Sequence, residues 1–312
     1  MKVYYSLEDF NALPNAIVTT GTFDGVHVGH KKILDQLNSI ASQNNGESVL
    51  LTFFPHPRMV LQPELELKLL NHQSEKIELL KKTGLDHLII HPFTKEFSRT
   101  SSLDFVRNIL VSKIGAKKLV IGYDHHFGRN REGSFEHLKE FGPVYGFDVE
   151  EIPAQDIEDI TISSTKIRNA IAEGNIDAAA NYLGYKYRLN GKVVEGQKIG
   201  KSLGFPTANI LVDENYKLIP KDGVYAVRLN ISSKPETSYG GMCNIGVRPT
   251  FGQNFKTIEV NLFNFNQDIY GERIRLSFHK RIRDEVKFEN LEALKEQLKQ
   301  DQKRAYEILD ID

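Results

Sequence analysis

The 312 residues carry 40 lysines and arginines against 41 acidic residues, a formal net charge of −1. No global field therefore draws the chain to nucleic acid or to an anionic membrane, and any recognition of phosphate has to be local. One cysteine, Cys243, excludes an internal disulfide and a thiolate metal site. A composition 40% apolar and 26% charged is that of a soluble globular protein, and the length suits two domains better than one core. The start MKVYYSLEDF has no apolar signal region, and no stretch approaches the roughly 20 apolar residues of a membrane span, so a cytoplasmic address is expected.

The first half alternates strand and helix signals. Ile17 to Thr20 reads as a short strand, and His30 to Asn44 as a helix with Ile33, Leu34, Leu37, Ile40 and Ala41 on one face. The apolar run Val49 to Phe54 reads as a buried parallel strand. A helix over Ser74 to Thr83 is expected to stop at Gly84, followed by a strand at Leu88 to Ile90. Ser101 to Asp104 has the spacing of a capping box, Leu119 to Ile121 is a further strand, and Ser163 or Ser164 caps a helix reaching Ala172. Asn175 to Leu183 is a second helix, closed by Gly184. The pattern then changes. Tyr187 to Val194, Val224 to Ile231, Ile258 to Phe263 and Arg273 to Phe278 read as strands punctuated by glycine and proline, the pattern of a small antiparallel barrel. Asn290 to Leu309 forms an amphipathic tail helix with Leu291, Leu294, Leu298, Ala305 and Leu309 in its apolar stripe. The expected class is α/β: a doubly wound parallel sheet over residues 1–184, then a small antiparallel β-barrel with a C-terminal helix over 185–312.

Two segments concentrate chemistry. The first is Gly21-Thr22-Phe23-Asp24-Gly25-Val26-His27-Val28-Gly29-His30, between a buried strand and a strong helix. Helix-start N–H groups and the helix dipole favour an anion there, glycines permit close backbone approach, and two imidazoles can donate to phosphate oxygens. Plain turn glycines, surface histidines, or a metal site built on His27, His30 and Asp24 are the competing readings, the last lacking further ligands at useful spacing. Ser163, Ser164 and Thr165 place donors at another helix start, and Arg168 lies one turn on with a planar fork. On residue type alone these are an ordinary cap and a solvated face. His56 sits between Pro55 and Pro57 in a stiffened loop. The second segment is Gly200-Lys201-Ser202-Leu203-Gly204-Phe205-Pro206-Thr207-Ala208-Asn209. With Gly196 it is one residue short of a P-loop and no helix follows, so that reading fails. The Thr207 hydroxyl and the Asn209 carbonyl, two residues apart, suit one Mg²⁺–phosphate cluster; a turn leading into a strand is the plainer reading. Along Thr257 to Phe263, Glu259 shares a strand face with Thr257 and Asn261.

His-x-Gly-His after a strand resembles the signature of the adenylyl/cytidylyl nucleotidyltransferase superfamily. The longer string from Gly21 to His30 resembles the bacterial bifunctional riboflavin kinase/FAD synthetase family. Thr52-Phe53-Phe54-Pro55-His56-Pro57, Gly122 to Gly128, Ile162 to Arg168 and Leu203 to Asn209 follow in the family's order, so the resemblance covers nearly the whole chain. It implies FMN adenylyltransferase chemistry in the first domain and riboflavin kinase chemistry in the second, with ATP as co-substrate, Mg²⁺, and riboflavin, FMN and FAD as substrates and products. Small molecules are then the partners, with no nucleic acid and no membrane. His27 and His30 fall to the transferring phosphate, and Ser164 and Arg168 to the leaving phosphates. Glu259 falls to the role of general base, and Thr207 and Asn209 to the metal. Gly21, Phe23, Asp24, Gly25, Gly29, Pro55, His56, Pro57, Asp124, Ser163, Thr165, Gly200, Lys201, Gly204 and Pro206 fall to the nucleotide and flavin. The chain departs from the family pattern at His125, often Phe, at Asn261, often His, and at Leu183-Gly184-Tyr185-Lys186-Tyr187, where the family has Leu-Gly-Arg-Pro-Tyr. One rival is an RNA-stacking barrel built on Phe251, Phe255, Phe263 and Phe265 with Arg248, Lys256 and Arg273. Another is a flavin sensor or storage protein without turnover.

Overall fold

The computed structural model describes residues 1–122, 125–152, 162–196, 200, 204–250 and 253–311. The chain divides into two compact units, Met1–Ser164 and Thr165–Asp312. In the first, six strands form a parallel sheet: β1 (Lys2–Tyr4), β2 (Ala16–Thr20), β3 (Glu47–Phe54), β4 (His87–Pro92), β5 (Ala116–Gly122) and β6 (Asp148–Ile152). Their order across the sheet is β1-β4-β3-β2-β5-β6. From β2 the chain winds outward to β3 and β4 on one side, then restarts at β5 on the other. The crevice between β2 and β5 is therefore the topological switch point, where open α/β sheets hold ligands at their carboxyl ends. Every residue of β2 is buried, as a central parallel strand requires.

Helix α1 (Val28–Gln43) links β2 to β3 and buries Leu34, Leu37 and Ile40. It begins two residues earlier than the apolar periodicity indicated. Then come α2 (Pro57–Leu61), which follows a cis Phe54–Pro55 peptide, and α3 (Gln73–Lys81). Ser101 caps the short α4 (Ser102–Asp104), its Oγ accepting from the Asp104 N–H at 3.1 Å, and the chain continues as a π-helix over Phe105–Ile114. Helix α5 (Phe135–Tyr145) and strands β1 and β6 add to the elements expected from the sequence. All three cover or extend the sheet's edges.

In the second unit, β7 (Arg188–Val194), β8 (Ala208–Val212), β9 (Gly223–Ile231), β10 (Lys234–Thr250), β11 (Gln253–Leu262) and β12 (Arg273–Arg283) close a barrel in the order β10-β11-β8-β7-β12-β9, every pairing antiparallel. Closure leaves no open sheet edge. Helices α6 (Ser164–Glu173) and α7 (Ile176–Leu183) precede the barrel. Apart from Ser164 they belong to its compact unit: Lys221 N–H donates to the Ile171 carbonyl at 3.2 Å, and the Arg281 side chain lies against Gly174. The contacts therefore regroup ahead of Gly184, while the change from helices to strands falls at Gly184. Helix α8 (Leu291–Leu309) packs on the barrel through Leu298, Ala305, Tyr306 and Leu309. Its first turn does not: Leu291 is 59% exposed.

Candidate active sites

The segment from Gly21 to His30 lies where β2 ends and α1 begins, on the switch-point crevice. Phe23 and Val26 both have positive φ, +47° and +37°, on either side of Gly25 at +89°. A bulky residue in that region is strained, and such strain gathers at functional sites. His27 is the N-cap of α1 and 5% exposed. Its Nδ1 accepts the His30 backbone N–H at 3.3 Å, so the neutral ring carries its proton on Nε2. The His30 ring stacks on His27 at 3.6 Å and on Phe23 at 4.6 Å. A Cβ on Gly29 would stand 3.3 Å from the His27 ring, so Gly29 gives the imidazole its seat. Gly21 does the same for the Phe23 ring, which would lie 2.9 Å from an added Cβ.

Burial holds His30 well below the ordinary histidine range, with His27 and Lys76 adding to the effect. It therefore acts as a neutral imidazole. Its Nδ1 is buried with no hydrogen-bond partner, an arrangement that native structures rarely keep unless something else fills it. A phosphate oxygen or a ligand hydroxyl at this position would satisfy it.

Asp24 is buried and turned inward. Its carboxylate accepts from the Leu70 N–H at 3.0 and 3.1 Å and from the Asn71 N–H at 3.3 Å, so it pins the segment before α3 under the turn. Its backbone carbonyl accepts the Ser164 hydroxyl at 2.9 Å. This bond brings the Ser163–Ser164 helix start to the turn, across 140 residues of sequence. Thr165 and Arg168 follow on α6, Thr165 exposed and Arg168 half-buried. His56 is the N-cap of α2, its Nδ1 accepting the Arg58 N–H at 3.1 Å, between exposed Pro55 and half-buried Pro57. Asp124 lies outside the described residues. His125 closes the crevice from the other side, its Nε2 3.0 Å from Thr20 Oγ1 at the end of β2.

Nothing in the local pattern singles out Lys76. Within an amphipathic helix it reads as an ordinary solvated lysine, yet it is 6% exposed and donates to the Thr22 carbonyl at 2.7 Å and to Thr52 Oγ1 at 3.2 Å.

On the barrel, β8 and β11 pair so that Asn209 lies directly across from Glu259. Thr207, two residues before Asn209, shares its face, and its Oγ1 donates to Glu259 Oε2 at 3.4 Å. The three groups separated in sequence thus meet on one patch. Asn261 is buried and donates from its Nδ2 to the Pro206 carbonyl at 2.8 Å, holding the Gly204–Thr207 turn against β11. Gly204 supplies a positive φ of +85° in that turn, and the Phe205 N–H returns to the Gly200 carbonyl at 2.8 Å. Gly196 lies against the Asn209 amide so closely that a Cβ would collide with it. Lys201 lies outside the described residues. Among the described residues no group of three or more His, Cys, Asp or Glu side chains is placed to hold a metal by itself. Thr207 and Asn209 remain oxygen donors of the kind a hard cation takes alongside phosphate oxygens.

Three of the residues that could form an RNA-stacking platform are engaged otherwise among the described residues. Phe263 is buried and stacks on Tyr306 at 4.4 Å, Arg273 pairs with Asp213, and Lys256 pairs with Asp222. Phe251 and the side chains of Arg248 and Phe255 lie outside what is described.

A parallel sheet with a His-x-Gly-His helix start, and a closed barrel carrying Thr, Asn and Glu on adjacent strands, define a two-domain nucleotide-dependent transferase. Family models agree: FAD synthetase matches residues 9–166 and riboflavin kinase residues 183–309. The chain is 38% identical to the bifunctional riboflavin kinase/FMN adenylyltransferase of Buchnera aphidicola subsp. Schizaphis graminum, covering 95% of this chain and 94% of that one. It is 33% identical to the protein of that description from Escherichia coli K12, over 98% and 97% of the two chains. A solved structure described as a macrolide-efflux protein from Streptococcus pneumoniae superposes with a TM-score of 0.86 at 32% identity, covering 97% of this chain and 98% of that one. No helix among the described residues is long and apolar enough to cross a membrane. The chain belongs to the bifunctional riboflavin kinase/FMN adenylyltransferase family.

Proposed function

We propose that the protein phosphorylates riboflavin to FMN on the barrel and adenylylates FMN to FAD on the parallel-sheet domain, consuming ATP in both steps, in the cytoplasm. The functional division taken from the sequence, 1–184 and 185–312, is part of this reading. The observation that carries it is that two separate polar constellations, His27 with His30 and Glu259 with Thr207 and Asn209, each sit on the domain whose family model matches that chemistry.

In the adenylyl step an FMN phosphate oxygen attacks the α-phosphorus of ATP, and the bond to pyrophosphate breaks. No proton has to be abstracted from the nucleophile, so the protein positions the reactants and stabilises charge. His27 and the neutral ring of His30 donate to the transferring phosphate. Ser164 and Arg168 hold the leaving phosphates, with Ser163 and Thr165 at the helix start. Gly21, Phe23, Gly25 and Gly29 shape the turn, and Pro55, His56, Pro57 and Asp124 face the nucleotide or flavin. Asp24 serves indirectly, by pinning the turn.

In the kinase step the riboflavin 5′-hydroxyl attacks the γ-phosphorus. Glu259 takes its proton, and ADP leaves. Thr207 and Asn209 would hold Mg²⁺, which would supply positive charge to the phosphates. Gly200, Lys201, Gly204 and Pro206 cradle the nucleotide.

Chromatography of riboflavin incubated with MgATP and the protein tests this: FMN should appear first, then FAD. Glu259→Gln should lose FMN formation by about 10²–10⁴-fold while still converting supplied FMN to FAD. His30→Ala should do the reverse. Loss of both steps in both folded variants would overturn the two-site assignment.

A further inference from the structure

Lys76 lies beneath the His-x-Gly-His turn, and nothing in the two reactions described above uses it. It is 6% exposed, and its ammonium donates to two neutral oxygens, the Thr22 carbonyl at 2.7 Å and Thr52 Oγ1 at 3.2 Å. Among the described residues it has no ion pair. An ammonium buried in this way is costly, and a chain gains nothing from it in packing that a methionine would not supply. Stability sacrificed at a site is what function tends to cost.

The position gives the charge a task. Thr22 is the residue between the end of β2 and the strained turn at Phe23, and Thr52 lies near the end of β3. From α3, one side chain therefore ties together the two strand ends that border the site. The same charge acts on His30 and helps keep that ring neutral. Among the described residues the titratable groups that interact with Lys76 are Asp24 in the turn and His30 at the start of α1, and Glu75 and His72 begin its own helix.

We propose that Lys76 is a positioning residue for adenylyl transfer: through the Thr22 carbonyl its ammonium fixes the turn that presents His27 and His30, and it supplies the buried positive charge that the nucleotide's phosphates complete on binding. This rests on the reading that places adenylyl transfer at that turn. Burial lowers the Lys76 pKa to about 8, with Asp24 opposing the shift. The charge is therefore lost in a range where an ordinary lysine keeps it, while His30 stays neutral throughout.

The test is the pH dependence of FMN adenylylation by the full chain, with riboflavin phosphorylation by the same preparations as the check on folding. Wild-type kcat/KM should fall above about pH 8. Lys76→Arg should keep activity near neutrality and carry the alkaline fall at least one pH unit higher, because a guanidinium does not titrate there. Lys76→Met should lose about tenfold or more in kcat, with no alkaline limb and riboflavin phosphorylation unchanged. An alkaline limb at the same pH in wild type and Lys76→Arg overturns the proposal, whether or not Lys76→Met folds. So does a Lys76→Met enzyme with wild-type adenylylation. A His30→Ala enzyme that still makes FAD at the wild-type rate would instead sink the placement of the reaction, so the two failures are separable.

Discussion

At Asp24 the carboxylate faces three hydrogen bonds from the Leu70 and Asn71 backbone, and its own carbonyl receives Ser164. Asp24→Ala strips two buried N–H groups of their acceptor, a loss of about 1–3 kcal/mol. A lower urea midpoint, with FAD formation reduced more than FMN formation, is the expected result. His279 on β12 gives a second prediction. Burial, reinforced by Lys186 and Arg228, lowers its pKa to about 4 from an ordinary 6.5. Between those values the unfolded chain binds more protons than the folded one, so stability rises with pH across that window and is lost as pH falls from 6.5 towards 4. Tm measured at several pH values should show this fall, and His279→Gln should flatten it.

At the scale of elements, α8 shows where apolar periodicity misleads. The stripe from Leu291 to Leu309 marks the helix correctly, yet its first turn is solvated while Asp301, on the packed face, is 1% exposed. Arg283 on β12 is the reason: its Nε and Nη2 reach both Asp301 oxygens at 2.7–3.0 Å, and Gln297 adds a third donor at 3.0 Å. Asp301→Ala removes the carboxylate from a half-buried Arg283 that still donates to the Asp284 carbonyl, and should cost about 1–3 kcal/mol. A drop in the urea midpoint of riboflavin kinase activity would check it. Other local signals held in part: Ile258 and Val260 are buried on β11 with Glu259 half-buried between them, although Asn261 is buried as well, and the apolar face of α1 lies where its spacing placed it, while β8 and β10 are not among the expected barrel strands. β1 and β6 went unmarked because edge strands carry half a hydrophobic pattern, or none; α5 is different, since Phe135, Leu138, Phe141 and Tyr145 do recur at helical spacing.

For the whole molecule, two compact units with separate cores mean two stabilities. Asp301→Ala should therefore lower the temperature at which riboflavin phosphorylation is lost and leave that of FMN adenylylation within a degree or two, measured by assaying both activities after graded heating. Coincident loss of the two activities in this variant would show that the units unfold as one.

Taken alone, the sequence determined the two domain types, the turn at Gly21–His30, and the strand face holding Glu259. These depend on spacing along a single element, and short-range sterics and periodicity write that spacing into the chain. Tertiary structure alone decided which groups meet. It set Asn209 across from Glu259, brought Ser164 to Asp24, tied His125 to Thr20, and buried Lys76 beneath the turn. Burial and proximity across many residues belong to the packed fold, because a side chain's charge and partners depend on what surrounds it rather than on what precedes it.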